Sequence, residues 1–309
     1  MTQPTDVVTG SFGYIGRYIT DRLLNNGRQV KTITTHPDKP NPFGPLVEAF
    51  PYNFDNPDQL IQTLKGVDRL YNTYWIRFEH SGLTYQQAVE NTEILFRCAK
   101  EAGVRKIVHI SVTRASSDSD LPYYRGKGLQ ENLVRNSFLP YSIVRPTLVF
   151  GKEDILVNNI AWLLRKFPVF PIPGRGRYRV QPVFVGDLAS IVASQGDKDG
   201  NDECDAIGPE TYTYKDFVTL IASALGRRVL LVPVPPVVSI ALGKMIGIFL
   251  RDVILTKNEL RGLMEENLTS PETPNGPTRF SEWLEDNLKT IGGRYSSELD
   301  RHFRWSARE

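Results

Sequence analysis

The octet Thr9-Gly10-Ser11-Phe12-Gly13-Tyr14-Ile15-Gly16 decides the fold. It follows a short apolar strand, Asp6-Val-Val-Thr9, and opens a helical pattern over 14–26 that stops at Gly27, a glycine where a helix C-cap wants one. In a strand–turn–helix of this kind Gly10 permits the tight turn. Gly13 lets the backbone approach a pyrophosphate, and Gly16 lets the helix pack on the strand. The phosphates then meet the N–H groups at the helix start. Glycine-rich matches also occur in plain turns, so the strand before the octet and the helix after it carry the assignment. The spacing predicts a dinucleotide site on Gly10, Phe12, Gly13, Tyr14, Ile15 and Gly16.

Beyond the octet, short apolar runs alternate with helical patterns. Strands are expected at 29–34, 47–51, 68–73, 106–111 and 142–145, and helices at 56–65, 83–102 and 123–136. The alternation predicts an α/β fold, a doubly wound parallel Rossmann sheet. Apolar pairs such as Val7-Val8, Ile107-Val108 and Ile143-Val144 suit strands buried on both faces. The second half is less regular. Residues 155–167 are helical in pattern, Pro168, Pro171 and Pro173 break the chain, and 180–185 is strand-like. Helices are expected at 187–194 and 214–225, and over 256–305 around a Pro/Gly loop at 271–277. The expected organisation is a dinucleotide-binding domain over 1–152 with roughly 180–209, and a smaller, mainly helical C-terminal substrate lobe over 153–179 and 210–309. No internal repeat is visible.

The formal charge of +2 over 309 residues argues against nucleic acid as a partner. Cys98 and Cys204 match no metal or redox spacing, and two cysteines make no disulfide framework. A reducing, cytoplasmic setting is expected, and the first ten residues lack the pattern of a signal peptide. His36, His80, His109 and His302 are scattered, so no metal site is expected. The apolar stretch 229–250 is interrupted by Pro233, Pro235 and Pro236 and carries Lys244. The part left uninterrupted is too short to span a bilayer, which takes about 20 apolar residues. The stretch reads as a strand, a turn and a buried or docking helix, with peripheral membrane contact through 234–250 as the alternative. Oligomeric state is not legible.

At the end of the second strand, where an acid would hold the ribose hydroxyls of NAD, stand Thr34, Thr35 and His36. Arg17, His36 and Lys39 suit an extra 2′-phosphate, so NADP(H) is preferred and NAD(H) is the alternative. Tyr123 and Lys127 are four residues apart at a helix start, on one face. An ammonium beside a phenol favours the phenolate, and a phenol tuned this way can exchange a proton with a carbonyl or hydroxyl. Tyr124, three before Lys127, is the competing register. Ser111 and Thr113, at the end of the fifth strand, offer hydroxyls to the same reacting oxygen.

In order along the chain, these motifs resemble the extended or atypical branch of the short-chain dehydrogenases/reductases. TGSFGYIG is similar to its TGxxGxxG, and Tyr123-Tyr-Arg-Gly-Lys127 to its YxxxK. Arg145-Pro146-Thr-Leu-Val-Phe-Gly151 resembles RPxxxYG, with Phe150 where the family has tyrosine, and Ala88–Leu95 resembles the central helix. The likeness runs over roughly 5–225. The group containing the Rossmann-like accessory subunit of respiratory complex I is the nearest in flavour, with sugar-nucleotide epimerases, dehydratases and isoflavone-type reductases as other relatives. The resemblance implies that Asn53 and Phe54 lie near the adenine, that Asn91 supports the site, that Lys127 also holds the nicotinamide ribose, and that Pro146 shapes the nicotinamide pocket. It implies an NAD(P)-dependent oxidoreductase acting on a small molecule. A non-catalytic cofactor-binding protein and an epimerase or dehydratase are the alternatives. Tyr74 and Trp75 depart from the small residues usual after the fourth strand; they are expected either to line the substrate pocket or to pack in the core.

Overall fold

The computed structural model describes residues 4–302. From the N-terminus it runs β1 (Thr5–Thr9), α1 (Tyr14–Asn25), β2 (Gln29–Thr34), β3 (Val47–Pro51), α2 (Pro57–Leu64), β4 (Val67–Asn72), α3 (Tyr85–Glu101), β5 (Lys106–Ile110), α4 (Pro122–Arg135) and β6 (Tyr141–Pro146). After a second unit contributes β7 (Leu148–Phe150), α5 (Ile155–Lys166), β8 (Val169–Pro173), β9 (Arg179–Val180) and β10 (Pro182–Phe184), the chain returns with α6 (Val185–Asp197) and β11 (Asp202–Ala206). The seven strands of the first unit form one parallel sheet in the order β11-β6-β5-β4-β1-β2-β3. This is the α/β Rossmann-like sheet expected from the sequence.

Local chemistry sets the element ends. Asn56 caps α2 by accepting from Gln59 N (3.3 Å), and Thr84 caps α3 by accepting from Gln87 N (3.1 Å). That cap is why α3 begins at Tyr85 rather than at 83. The sheet core is the apolar set the pattern marks: Val7, Val8, Ile33, Leu70, Ile107, Ile143 and Val144 are buried. The seventh strand, β11, was not expected. Its sequence, Asp-Glu-Cys-Asp-Ala, carries no apolar run because it is an edge strand, most of whose residues are only partly buried.

The second unit comprises Thr147–Phe184 and the chain from Ile207 onward. It adds β12 (Tyr212–Thr213), α7 (Tyr214–Ala224), β13 (Leu230–Val234), α8 (Pro236–Leu250), α9 (Lys257–Met264), α10 (Phe280–Asn287) and α11 (Glu298–His302). Residues 303–305, the end of the last expected helical stretch, lie outside the described residues. The division falls at Pro146, earlier than the 152 read from sequence. Here β7 pairs with β10, and Phe150 packs on Phe280 and Trp283 in this unit's own core. Pro171 and Pro173 do not break the chain as expected. They sit within β8, whose only partner is β13, and a two-stranded ribbon leaves one edge where a missing N–H is harmless.

Two glycines of α4 let the helix lie close to its neighbours. A Cβ at Gly128 would stand 2.2 Å from the backbone of Ser116 and Ser117. Helix propensity alone would favour Gly128→Ala by about 1 kcal/mol, but overpacking against backbone costs about 1–3 kcal/mol. Urea unfolding of Gly128→Ala should therefore show a net loss of stability; a gain would mean that the 113–121 loop yields freely.

Candidate functional site

The strand order reverses between β1 and β4, and the crevice beyond their carboxyl ends is where open α/β sheets hold ligands. These two ends are tied together. Thr9 Oγ1 donates to Asn72 Oδ1 (3.2 Å) and accepts from Thr73 N (2.7 Å), while Thr73 Oγ1 donates to Thr9 O (2.5 Å). Gly10 takes φ +69°, where a side chain would be strained, and its N–H donates to Ile33 O (2.9 Å). Gly13 N–H closes the turn onto Gly10 O (2.8 Å). A Cβ at Gly16 would come within 2.2 Å of that same oxygen. Gly16 is thus required by the turn itself, whereas exposed Gly13 leaves the face of the loop open. Gly13 is the N-cap of α1 and offers no side-chain bond, and the first turn (Tyr14, Ile15, Gly16) carries no acid. The positive end of the helix dipole is left for an anion.

On the far side of β1, exposed Thr35 and half-buried His36 follow β2, and no acid stands with them. After β3, Asn53 adopts φ +48°, and its Nδ2 is buried with no hydrogen-bond partner among the described residues. Phe54 stacks on Tyr52 (4.8 Å between centroids, 15° between planes). An unpaired buried amide donor is costly unless something accepts from it. Adenine ring nitrogens are such acceptors, so the loop, the helix start and Asn53 together fit a dinucleotide.

The second cluster stands at the ends of β5 and β6. Lys127 Nζ is buried and donates to Ile110 O (2.8 Å), 5.1 Å from the centroid of the Trp75 ring. Burial pushes its ammonium down to about 7, against the opposing pull of Glu131. Glu131 accepts from Ser111 Oγ (2.6 Å) and forms a two-pronged pair with Arg145 (2.7 and 2.7 Å). Ser111 is therefore committed to the Glu131 network. Thr113 instead sits on Pro146, its N–H (3.2 Å) and Oγ1 (3.4 Å) both directed at Pro146 O.

Tyr123, in the first turn of α4, is half-buried and meets Trp75 (6.0 Å, 76°) and Tyr85 (6.3 Å, 89°) edge-on. Tyr124 is buried in a small core with Val112 and Leu121, and Tyr123 packs against the edge of that core, its ring 5.4 Å from that of Tyr124. Trp75 stacks on Tyr85 (5.5 Å, 23°), and its six-membered ring lies so close to Gly126 that a Cβ there would be 2.3 Å from it. Tyr74 and Trp75 thus part company. Tyr74 is buried in the core with Tyr52 and Phe54, the packing alternative of the sequence reading, and its hydroxyl accepts from Asn91 Nδ2 (2.8 Å). Trp75 lies against the Tyr123–Lys127 face. A recess of about 410 Å3 between α3 and α4, reached by Tyr85 and Gly126 but not by Tyr123 or Lys127, carries the acids Glu79 and Glu90 beside Val89 and Leu129.

Three residues that organise this region were not singled out in the sequence: Asn72, Tyr85 and Glu131. Glu131 had a signal, because it lies four residues after Lys127 on the same helix face. Asn72 had a weaker one, a polar residue closing an apolar strand. Nothing marked Tyr85, whose role depends on where α3 and the 73–84 loop meet. Among the described residues no group of three or more His, Cys, Asp or Glu side chains could hold a metal ion.

Residues 10–156 match a family model described as NAD(P)H-binding. The match covers the whole of β1 to β7 apart from the first strand. A mitochondrial NADH dehydrogenase [ubiquinone] 1 alpha subcomplex subunit 9 of Arabidopsis thaliana is 26% identical over 225 residues, 69% of this chain and 56% of that protein. The chain thus spans little more than half the length of that relative. Among solved structures, triphenylmethane reductase of Citrobacter sp. complexed with NADP(H) superposes with a TM-score of 0.74 at 17% identity, covering 92% of this chain and 99% of that one. The NADPH-dependent quinone oxidoreductase of Escherichia coli complexed with NADPH gives 0.73 at 19%, covering 92% and 98%. At these identities the structural likeness shows a shared Rossmann fold.

The matched stretch contains Lys127, and its burial has a measurable consequence. A lysine whose folded pKa is lowered holds fewer protons folded than unfolded between about pH 7 and its ordinary value of 10.5, so stability should rise with pH through that window. The slope from this one group is at most about 1.4 kcal/mol per pH unit. Urea unfolding of wild type and Lys127→Met at pH 7 and pH 9.5 should show the wild type gaining on the variant. Parallel behaviour would mean that Lys127 titrates normally.

Proposed function

We propose that this protein is an NADP(H)-preferring oxidoreductase that moves a hydride between the nicotinamide and a carbonyl or alcohol carbon of a small molecule. The observation that carries the reading is the convergence, on the carboxyl ends of β1, β4, β5 and β6, of the open glycine turn with Tyr123, Lys127 and Thr113. The cofactor, when bound, supplies or accepts the hydride. Gly10, Gly13 and the first turn of α1 would take its pyrophosphate, Asn53 its adenine, and Thr35 and His36 the ribose end of its adenosine half. The absence of an acid after β2 supports the 2′-phosphorylated form.

Chemistry at the substrate falls to the chain's own groups. Tyr123 gives its phenolic proton to the substrate oxygen in reduction and takes it back in oxidation. Thr113 or Ser111 would polarise that oxygen; each now donates its one hydroxyl proton within the protein, to Pro146 O and to Glu131, and whichever acts must turn that proton to the substrate, which is easier from the neutral carbonyl than from the carboxylate. Lys127 positions the ribose and supplies positive charge behind the phenol once an anionic ligand draws a proton onto it. Trp75 and Tyr85, stacked on each other, surround Tyr123 with aromatic carbon, which suits an unsaturated acceptor more than a sugar.

A second reading, a cofactor-holding assembly protein without turnover, is favoured by one observation. Trp75 and the Ile110 carbonyl already occupy the surroundings of Lys127 Nζ, which leaves less charge for Tyr123. The two readings separate in titrations with NADPH and NADH followed by fluorescence, with turnover assayed on quinones and other planar acceptors. Tyr123→Phe should keep NADPH affinity and lose about 10²- to 10⁴-fold in kcat. Gly13→Asp, which puts a carboxylate where the phosphates approach, should lose binding by about 100-fold or more without loss of fold. Tight binding with no turnover of any acceptor in the wild type would select the second reading, and binding of neither cofactor would remove both.

A further inference from the structure

Helix α8 is built inside out. Its buried residues are small, Ser239, Gly243 and Gly247, and a Cβ at Gly247 would stand 2.5 Å from the Asp252 carbonyl oxygen. Its large side chains face outward. Val237, Val238, Lys244, Met245, Ile248 and Phe249 are exposed, at the spacing of a single helical stripe. Val237 is 76% exposed, Ile248 77% and Phe249 84%. A helix that ends its burial in water turns such a stripe inward, and exposed apolar patches of this kind mark interaction surfaces. The ribbon that leads into α8 shares the character: Val169 and Leu230, register partners in β8 and β13, are both exposed.

The exposed charges of the segment that carries the stripe have one sign. Between Gly226 and Asn258 the chain carries Arg227, Arg228, Lys244, Arg251 and Lys257, all exposed. The only acid in that span is Asp252. It is buried, and its carboxylate accepts from Tyr295 Oη (2.5 Å), Glu298 N (3.0 Å) and Leu299 N (3.0 Å). Within 226–257, then, the exposed side chains on and beside α8 are apolar or cationic, and the first acid after Asp252 is Glu259, which is engaged in the cap of α9.

We propose that α8 docks on an anionic lipid surface, lying in the plane of the interface. Val237, Met245, Ile248 and Phe249 enter the acyl boundary, while Lys244 and Arg251 reach the headgroup phosphates. A lysine within an apolar stripe is disfavoured at the core of a protein interface, but at a lipid interface it snorkels to the phosphates. A second copy of the chain would set one cationic stripe against another. Spanning is excluded by length, since fifteen residues rise only about 22 Å, and no helix among the described residues is long and apolar enough to cross a membrane. This inference is independent of the cofactor reading.

The test is flotation of the full chain with phosphatidylcholine vesicles, with and without phosphatidylglycerol, at low and high salt. The wild type should float with the anionic vesicles and lose this at high salt. The pair Ile248→Ser with Phe249→Ser, and separately Lys244→Glu with Arg251→Glu, should each weaken partitioning by about tenfold or more. Unchanged melting temperatures would show that the fold is intact. Failure of the wild type to bind anionic vesicles, or equal binding by both variants, overturns the proposal. So does self-association, measured by sedimentation, that the serine pair abolishes in the absence of any vesicle binding.

Discussion

The carboxyl ends of three neighbouring strands are tied by one buried side chain. Asn72 Oδ1 accepts from Thr9 on β1 and from the Tyr74 N–H, and its Nδ2 meets His109 Nδ1 on β5 at 3.1 Å. Burial holds the His109 imidazole well below the usual histidine range, so it is neutral and able to accept there. In a low-dielectric interior an unmade bond of this kind costs about 1–3 kcal/mol, so the three strand ends are held to one arrangement. The glycine turn hangs from Thr9. The direction in which the chain leaves β4, and so the placing of Tyr74 in the core and Trp75 at the Lys127 face, follows from the Asn72 bond to the Tyr74 N–H.

The second constraint is electrostatic. Burying a lysine is unfavourable unless its donors are satisfied. Here one carbonyl and one indole face meet Nζ, with Glu131 one helical turn further on. Glu131 is itself neutralised by Arg145 and Arg135 and fixed by Ser111, so α4 is locked to β5, β6 and, through Glu203, to the edge strand β11. The charged strand that apolar patterning passed over thus anchors the helix that carries Tyr123. It holds through ion pairs, which leave no hydrophobic trace in the sequence.

Both units use glycine where two backbones must approach, but to different ends. At Gly16 and Gly128 it lets a helix settle onto a turn or loop. At Gly247 it lets the turn that ends α8 fold back against the helix, and with Ser239 and Gly243 it makes the buried side of α8 one of small residues. The apolar stretch 229–250 was legible as unusual from composition. Its exposure was not, because the hydropathy of a helix that is apolar on every side contains no phase and so no statement of which face is covered.

How far the sequence reached follows from the range of the interactions involved. The alternating strand and helix patterns, the glycine octet and the four-residue spacing of Tyr123 and Lys127 are local. Propensity, burial periodicity and turn sterics act within a few residues, so these were readable from the chain alone. What the tertiary structure decided is non-local: that Ser111 answers to Glu131 while Thr113 answers to Pro146, that Tyr74 joins the core while Trp75 covers Lys127, that Phe150 packs with Phe280 rather than under the sheet, and that α8 shows its apolar side to the surroundings. Each depends on which distant segment arrives opposite a given side chain. That is set by packing and by the pairing of buried polar groups, neither of which the spacing of residues along the chain encodes.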